Sequence, residues 1–256
     1  MTANNENKSS VEKALHLLDS FSDRKFFLSL EEIADHSDIP KTTTFRLLAS
    51  LESYGYIRKT ITAGKTYYSL GYGFLTKGNM VAKHIDIREV ARDEMRELRD
   101  QSGLTVQLAI RDGAHALYVE QFESWSPIRV FPSIGRRIPL HAAACPRVLL
   151  AYLSETEQQS LIKQLNFQGD ALKNLCNEET LIEHLYEIRS KGFSISRGEL
   201  IPGTIALAVP IINPATEDVI ASLSLIALES HFSDNIEDYL PMLKKSSQQI
   251  SAKLIS

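Results

Sequence analysis

The 256-residue chain has little cysteine, no long apolar run and no excess of positive charge, and each shortage removes a class of function. Its two cysteines, Cys145 and Cys176, stand far apart, with no C-x-x-C pair and no histidine cluster beside them, which argues against a disulfide framework and a zinc site. The seven histidines, at positions 16, 36, 84, 115, 141, 184 and 231, form no H-E-x-x-H or comparable pattern, so no metal and no cofactor is expected. The longest nearly apolar run, residues 201–212, is broken by Pro202 and Pro210 and is too short to span a bilayer. Residues 1–8 lack the apolar stretch of a secretion signal. A soluble, cytoplasmic protein with no membrane partner is expected. No internal repeat or low-complexity tract is present.

The formal net charge of -4 speaks against nucleic acid until it is divided along the chain. Residues 1–80 hold ten Lys/Arg against nine Asp/Glu, and between Lys41 and Arg88 there are eight basic residues against two acidic ones. A local patch suffices for phosphate binding, because affinity depends on the few cations that neutralise phosphates. With 43 % hydrophobic residues, the length supports two compact domains.

The stretch 29–70 is the most informative. Ser29 followed by Glu32 is a capping box, so a helix should start at Leu30 with Leu30, Ile33 and Ala34 facing inward. His36, Ser37 and Asp38 favour local turns and Pro40 biases Ile39 away from helical geometry, which ends that helix. A second helix opens at Pro40 or Lys41, buries Leu47, Leu48, Leu51 and Tyr54, and stops at Gly55. Its other face carries Lys41, Thr42, Thr43, Arg46 and Ser50, hydroxyls and cations suited to phosphates and base edges in a major groove. Residues 56–59 and 66–70 read as strands of a hairpin, with Arg58, Lys59 and Lys65 on or beside it. The residues nominated for DNA contact are Ser29, Lys41, Thr42, Thr43, Arg46, Arg58, Lys59 and Lys65. Arg46 is weighed as a guanine reader against a phosphate contact; Thr42 and Thr43 are weighed as base readers against helix capping.

Before this stretch, Val11, Ala14, Leu15, Leu18 and Phe21 form a helical stripe; after it comes a short helix with flexible ends. Asp86 then caps a long amphipathic helix ending near Gly103, with Ile87, Val90, Ala91, Met95 and Leu98 on one side and Glu94 on another. From Thr105 the period switches to 2. Strands are expected at 105–110, 114–120 and 128–134, helices near 142–153, 155–165 and 178–191, strands at 193–197, 205–212 and 219–227, and a last helix from Asp234 to Leu254. Trp125 is expected in a satellite core position. The order describes an α+β domain in which helices cover a largely antiparallel sheet.

Several phrases in fixed order resemble the IclR family of bacterial transcriptional regulators: VEKALHLL at 11–18, LEEIA at 30–34, IPKTTTFRLL at 39–48, LESYGYI at 51–57 and YSLG at 68–71, then IGRRIPLHAAA at 134–144, LLAYL at 149–153, RSKGF at 189–193 and GTIALAVPI at 203–211. The resemblance implies an α+β protein with an N-terminal winged helix-turn-helix domain (1–72), linker helices for dimerisation (73–101) and a C-terminal GAF-like effector-binding domain (102–256). It also implies a homodimer or homotetramer on a palindromic double-stranded DNA operator. Repression or activation of a catabolic or carbon-metabolism operon would follow from a small organic effector, a carboxylate. The effector pocket it implies comprises Ile138, Ala144, Cys145, Ser196, Thr204 and Ala206. A helix beginning near Ala144 would offer N–H groups to a carboxylate, with Thr204 and Ser196 as further donors.

Four positions depart from the family: Pro146 stands where glycine is usual, Ser196 and Ala206 where some relatives carry an acid and a cysteine, and Thr44 where an aliphatic residue is common. Thr44 therefore brings a hydroxyl that needs a partner. Two competing readings are a cysteine-dependent enzyme using Cys145 beside His141, and a ligand-insensitive regulator. No orienting acid is visible near Cys145 in the sequence, so no catalytic residue is assigned.

Overall fold

The computed structural model describes residues 9–22, 24–125, 133–165, 177–232 and 235–254. The chain divides into two compact units, Met1–His84 and Ile85–Ser256.

In the first unit, α1 (Ser10–Leu18) and α2 (Leu30–Ser37) each begin with a complete capping box, Ser9 with Glu12 and Ser29 with Glu32. Asp38 in the left-handed region closes α2, and α3 (Lys41–Ser53) follows directly after Pro40. The hairpin β1 (Ile57–Thr62) and β2 (Lys65–Leu70) is longer than expected, because Ala63 and Gly64, both at positive φ, turn the chain in two residues. Leu28 adds an antiparallel bridge to Tyr68. Leu17, Ile33, Leu48, Ile57 and Tyr68 form the core of this winged helix unit. Tyr54, expected inside, is 79 % exposed: it is the C-cap of α3, where the chain leaves the helical stripe. Thr44 is fully buried, and its hydroxyl donates to the Ile39 carbonyl at 3.2 Å. Helix α4 (Tyr72–Lys83) completes the unit and has no buried residue.

The second unit is a six-stranded antiparallel sheet between two helical layers. It contains α5 (Asp86–Ser102), β3 (Thr105–Asp112), β4 (His115–Phe122), β5 (Arg137–Pro139), α6 (Ala144–Ala151), α7 (Glu155–Ile162), α8 (Glu178–Lys191), β6 (Ser194–Arg197), β7 (Thr204–Ile212), β8 (Val219–Leu228) and α9 (Leu240–Lys253). The strand order is β5-β4-β3-β8-β7-β6. One face packs on α6 to α8, the other on α5 and α9.

Several boundaries differ from expectation. The expected strand at 128–134 lies outside the described residues except for Ser133 and Ile134, which are not in a strand; β5 comes after them. Asp234 also lies outside them, and a 3-10 turn over Ile236–Tyr239 precedes α9. Asp86 is the first helical residue rather than the cap, a place taken by Ile85. Of the helices expected over 73–101, α4 falls in the first unit, while Ile87, Ala91, Met95 and Leu98 of α5 belong to the core of the second. Glu94, expected on the outer face, is buried and paired with Lys253 of α9 at 3.0 Å. Trp125 is 79 % exposed instead of in a core, with the Arg99 guanidinium 4.4 Å from its ring centre. The cation keeps the aromatic face occupied in solvent.

Candidate nucleic-acid interface and effector cavity

Helix α3 starts without a side-chain cap, so its first N–H groups are left for an external acceptor such as phosphate. Thr42 and Arg46 are exposed and Thr43 is half-buried. Phe45 is half exposed on the same helix. Lys41 is ion-paired with Glu31 of α2, and that ammonium holds the Glu31 carboxyl below its ordinary value. A phosphate would have to compete for it. Ser29 is committed to its cap: its oxygen accepts from the Glu32 N–H at 3.2 Å and its own N–H donates to Glu32 at 2.8 Å. That leaves it the hydroxyl proton for a phosphate.

The hairpin register separates the wing cations. Lys65 lies directly opposite Thr62, and Thr62 shares its face with Thr60 and Arg58, so Arg58 and Lys65 stand on one face. Lys59 is opposite Tyr68 on the other face. The Arg58 guanidinium lies 4.5 Å from the Tyr72 ring centre, which orients it.

In the second unit, the sheet register brings two rows of side chains together. Ser196, Ala206 and Ile226 are neighbours across β6, β7 and β8, and Ala208, Ser224 and Gln107 across β7, β8 and β3. Ser196, Ala206, Ile226, Ser224 and Gln107 line a cavity that is closed by Ala143, Ala144 and Cys145 at the start of α6, by Tyr118, and by Glu199, Leu200, Ile201 and Thr204. Five of the six nominated residues thus meet in one cavity. Ile138 does not: it pairs with Ala116 in the sheet and is buried in the core.

The sequence reading missed Ser224, Gln107, Tyr118 and Glu199. Ser222 and Ser224, alternating with leucines in an otherwise apolar strand, were the available signal for the first. The cavity measures about 20 Å³, room for one water molecule. Thr204 spends its hydroxyl on the Ile201 carbonyl at 2.7 Å. The Ser196 hydroxyl, in a side chain 6 % exposed, has no hydrogen-bond partner among the described residues. At the mouth of α6, Glu199 accepts from the Ala143 N–H at 3.1 Å and pairs through both oxygens with Arg147, at 2.5 and 2.7 Å.

Cys145 is buried, and its thiol donates to the Ser222 carbonyl at 3.5 Å. Burial pushes that thiol up to about 11, against hydrogen bonding by Ser222 and Ser224 that acts in the opposite direction. His141 is pushed below its ordinary value, first by burial and then by the charge of Arg147. A thiol pushed up by burial is the reverse of the thiolate that the enzyme reading needs. Because the folded value lies above the unfolded one, the thiol's contribution to stability is intact below pH 9 and is lost as the pH rises towards 11. At pH 8, alkylation of Cys145 in the folded chain should run about 100-fold slower than that of an open peptide thiol, on the difference between about 11 and 9 alone. Peptide mass spectrometry of iodoacetamide-treated protein reads this out, and matching rates would contradict the burial. Among the described residues no group of three or more His, Cys, Asp or Glu is placed to hold a metal, and no helix is long and apolar enough to cross a membrane.

Residues 79–252 match the family model described as the bacterial transcriptional regulator IclR C-terminal domain, and residues 10–60 match the IclR helix-turn-helix domain. The chain is 35 % identical over 98 % of both lengths to the HTH-type transcriptional regulator KipR of Bacillus subtilis. Its fold is similar to the Thermotoga maritima IclR, at 25 % identity and a TM-score of 0.77 over 96 % of this chain and 98 % of that one. It is also similar, at 19 % identity and a TM-score of 0.80 over 96 % and 99 %, to an IclR homolog from Microbacterium hydrocarbonoxydans complexed with 4-hydroxybenzoate. With the two family models together spanning both units, the chain belongs to the IclR family of transcriptional regulators.

Proposed function

We propose that the chain is a ligand-responsive, DNA-binding regulator of a catabolic or carbon-metabolism operon. It acts in the cytoplasm as a homodimer or homotetramer on a palindromic operator. The carrying observation is the uncapped first turn of α3, with Thr42 and Arg46 exposed beside a half-buried Thr43, and with Arg58 and Lys65 on one face of the wing. Phosphate contacts from the wing set orientation, and Arg46 reads a base edge. A second copy would cover α4, which leaves Tyr72, Leu75, Met80 and Val81 exposed.

The effector is a small organic acid held in the cavity at the start of α6. The complex of the Microbacterium homolog with 4-hydroxybenzoate supports a carboxylate as the class. Coupling requires that the effector favour one arrangement of the paired DNA-binding units over another.

Selection of bound duplexes from a random library, followed by titration with small carboxylic acids, tests this reading. The expected result is enrichment of an inverted repeat, a steep loss of affinity with salt, and a shift in affinity with at least one acid. Enrichment of no sequence would refute the DNA reading. Sequence-selective binding that no acid moves, with no thermal shift, would favour a ligand-insensitive regulator.

A further inference from the structure

The place in the second unit best suited to an anion is already held by the chain's own carboxylate. Glu199 accepts the Ala143 N–H and both outer nitrogens of Arg147, whose side chain is 4 % exposed. Arg147 is also held by the carbonyls of Ile195, at 3.2 Å, and His141, at 3.4 Å, so the guanidinium keeps two anchors if Glu199 leaves. Ala143 sits at φ 66 and ψ 176, a backbone region that side chains disfavour, and this turns its amide towards Glu199.

Two further observations bear on a ligand. The adjoining cavity has room for one water molecule, so an organic acid enters only if a wall moves. Ser196, a residue 6 % exposed, lines it with a hydroxyl that has no partner among the described residues. The wall with natural pivots is the turn 198–203. Gly198 and Gly203 at its ends both have positive φ, and Glu199, Leu200 and Ile201 all line the cavity. The bond from the Gly198 N–H to the Thr204 carbonyl, at 2.7 Å, ties its base.

We propose that Glu199 is a resident carboxylate that an effector carboxylate replaces. The incoming acid takes over the Ala143 N–H and the Arg147 guanidinium, takes a further bond from Ser196, and displaces Glu199 together with the 198–203 turn. This rests on the acid-binding reading above and deepens it: the site selects acids over their neutral analogues because only a carboxylate can replace Glu199 on Arg147. The turn that moves is then the first element to register the effector.

The test compares the full chain with Glu199→Gln, which keeps an acceptor for Ala143 but leaves Arg147 without a counter-charge. Calorimetry would use two- to eight-carbon carboxylates, among them pyruvate and 4-hydroxybenzoate, each paired with its amide. The expected result is acid binding at least about tenfold tighter in Glu199→Gln, with amide binding unchanged. In the unaltered chain, hydrogen exchange of the 198–204 amides should speed up on adding a bound acid; this stands as a readout even if the variant does not fold. Acids that bind both proteins with an equal acid-to-amide preference, or that slow exchange in 198–204, would overturn the role of Glu199 while leaving the acid site standing. Failure of every acid to bind either protein would overturn both.

Discussion

Replacing Arg147 with alanine should destabilise the second unit by about 3–5 kcal/mol, because Glu199 would be left as an uncompensated charge in a largely buried site. In a domain of this size that corresponds to a melting temperature lower by roughly 6–20 °C. The two side chains of the pair are 4 % and 14 % exposed, so solvent screens little of the loss. The same principle gives a discriminating control: Arg147→Met combined with Glu199→Leu removes both charges and keeps the bulk, and should fall within about 1 kcal/mol of the unaltered chain or above it. Differential scanning calorimetry of the single and double variants checks the pair. Equal destabilisation in both would mean that packing, not charge, is what Arg147 supplies.

Gly71→Ala should be nearly as damaging, this time to the DNA-binding unit. A Cβ built on Gly71 meets the Gly55 carbonyl oxygen at 2.2 Å and the Tyr56 carbonyl carbon at 2.8 Å, both backbone atoms that cannot swing aside. The approach is fixed from both ends, by the Gly71 N–H donating to Tyr56 at 2.7 Å and the Gly73 N–H donating to Gly55 at 2.9 Å. Overpacking against backbone should take away about 3 kcal/mol, or roughly 12–24 °C in a unit this small. DNA binding should then be lost at temperatures the unaltered chain tolerates, although no residue of the interface has changed. Gly78→Ala is the matching control, since nothing lies within 4 Å of its Cβ and it sits inside α4. It should stabilise by about 0.5–1 kcal/mol. Thermal melts followed by circular dichroism separate the two, and a harmless Gly71→Ala would mean that the helix and hairpin can part there.

What could be read from the sequence was local or periodic. The Ser29 and Glu32 box, the breaks at Asp38 and Gly55 and the apolar runs of β7 and β8 are written within a few residues of each other, and the structure has each in place. Ser196, Thr204 and Ala206 were found because the family phrases around them have fixed spacing, and the register of β6 on β7 brings them together. Arg147 and Glu199 were missed because their meeting depends on tertiary packing across 52 positions of sequence. One clue was present: a single arginine inside an apolar helix, where burial demands an acid. Nothing local says which acid. Ser29, nominated for DNA contact, is also the cap read from the sequence, and the structure has that cap in place.

The central claim is that α3 enters the major groove with Thr43 and Arg46 leading. The most direct measurement is fluorescence anisotropy on a duplex recovered by selection, comparing the unaltered chain with the Thr43→Ala, Arg46→Ala double variant. Circular dichroism would establish that the variant melts with the unaltered chain. The loss of a base-reading arginine alone predicts about 1–3 kcal/mol, or roughly 5- to 150-fold weaker binding to the selected site, with binding to unrelated duplex much less affected. Undiminished affinity for the selected site in a variant that folds would contradict the account.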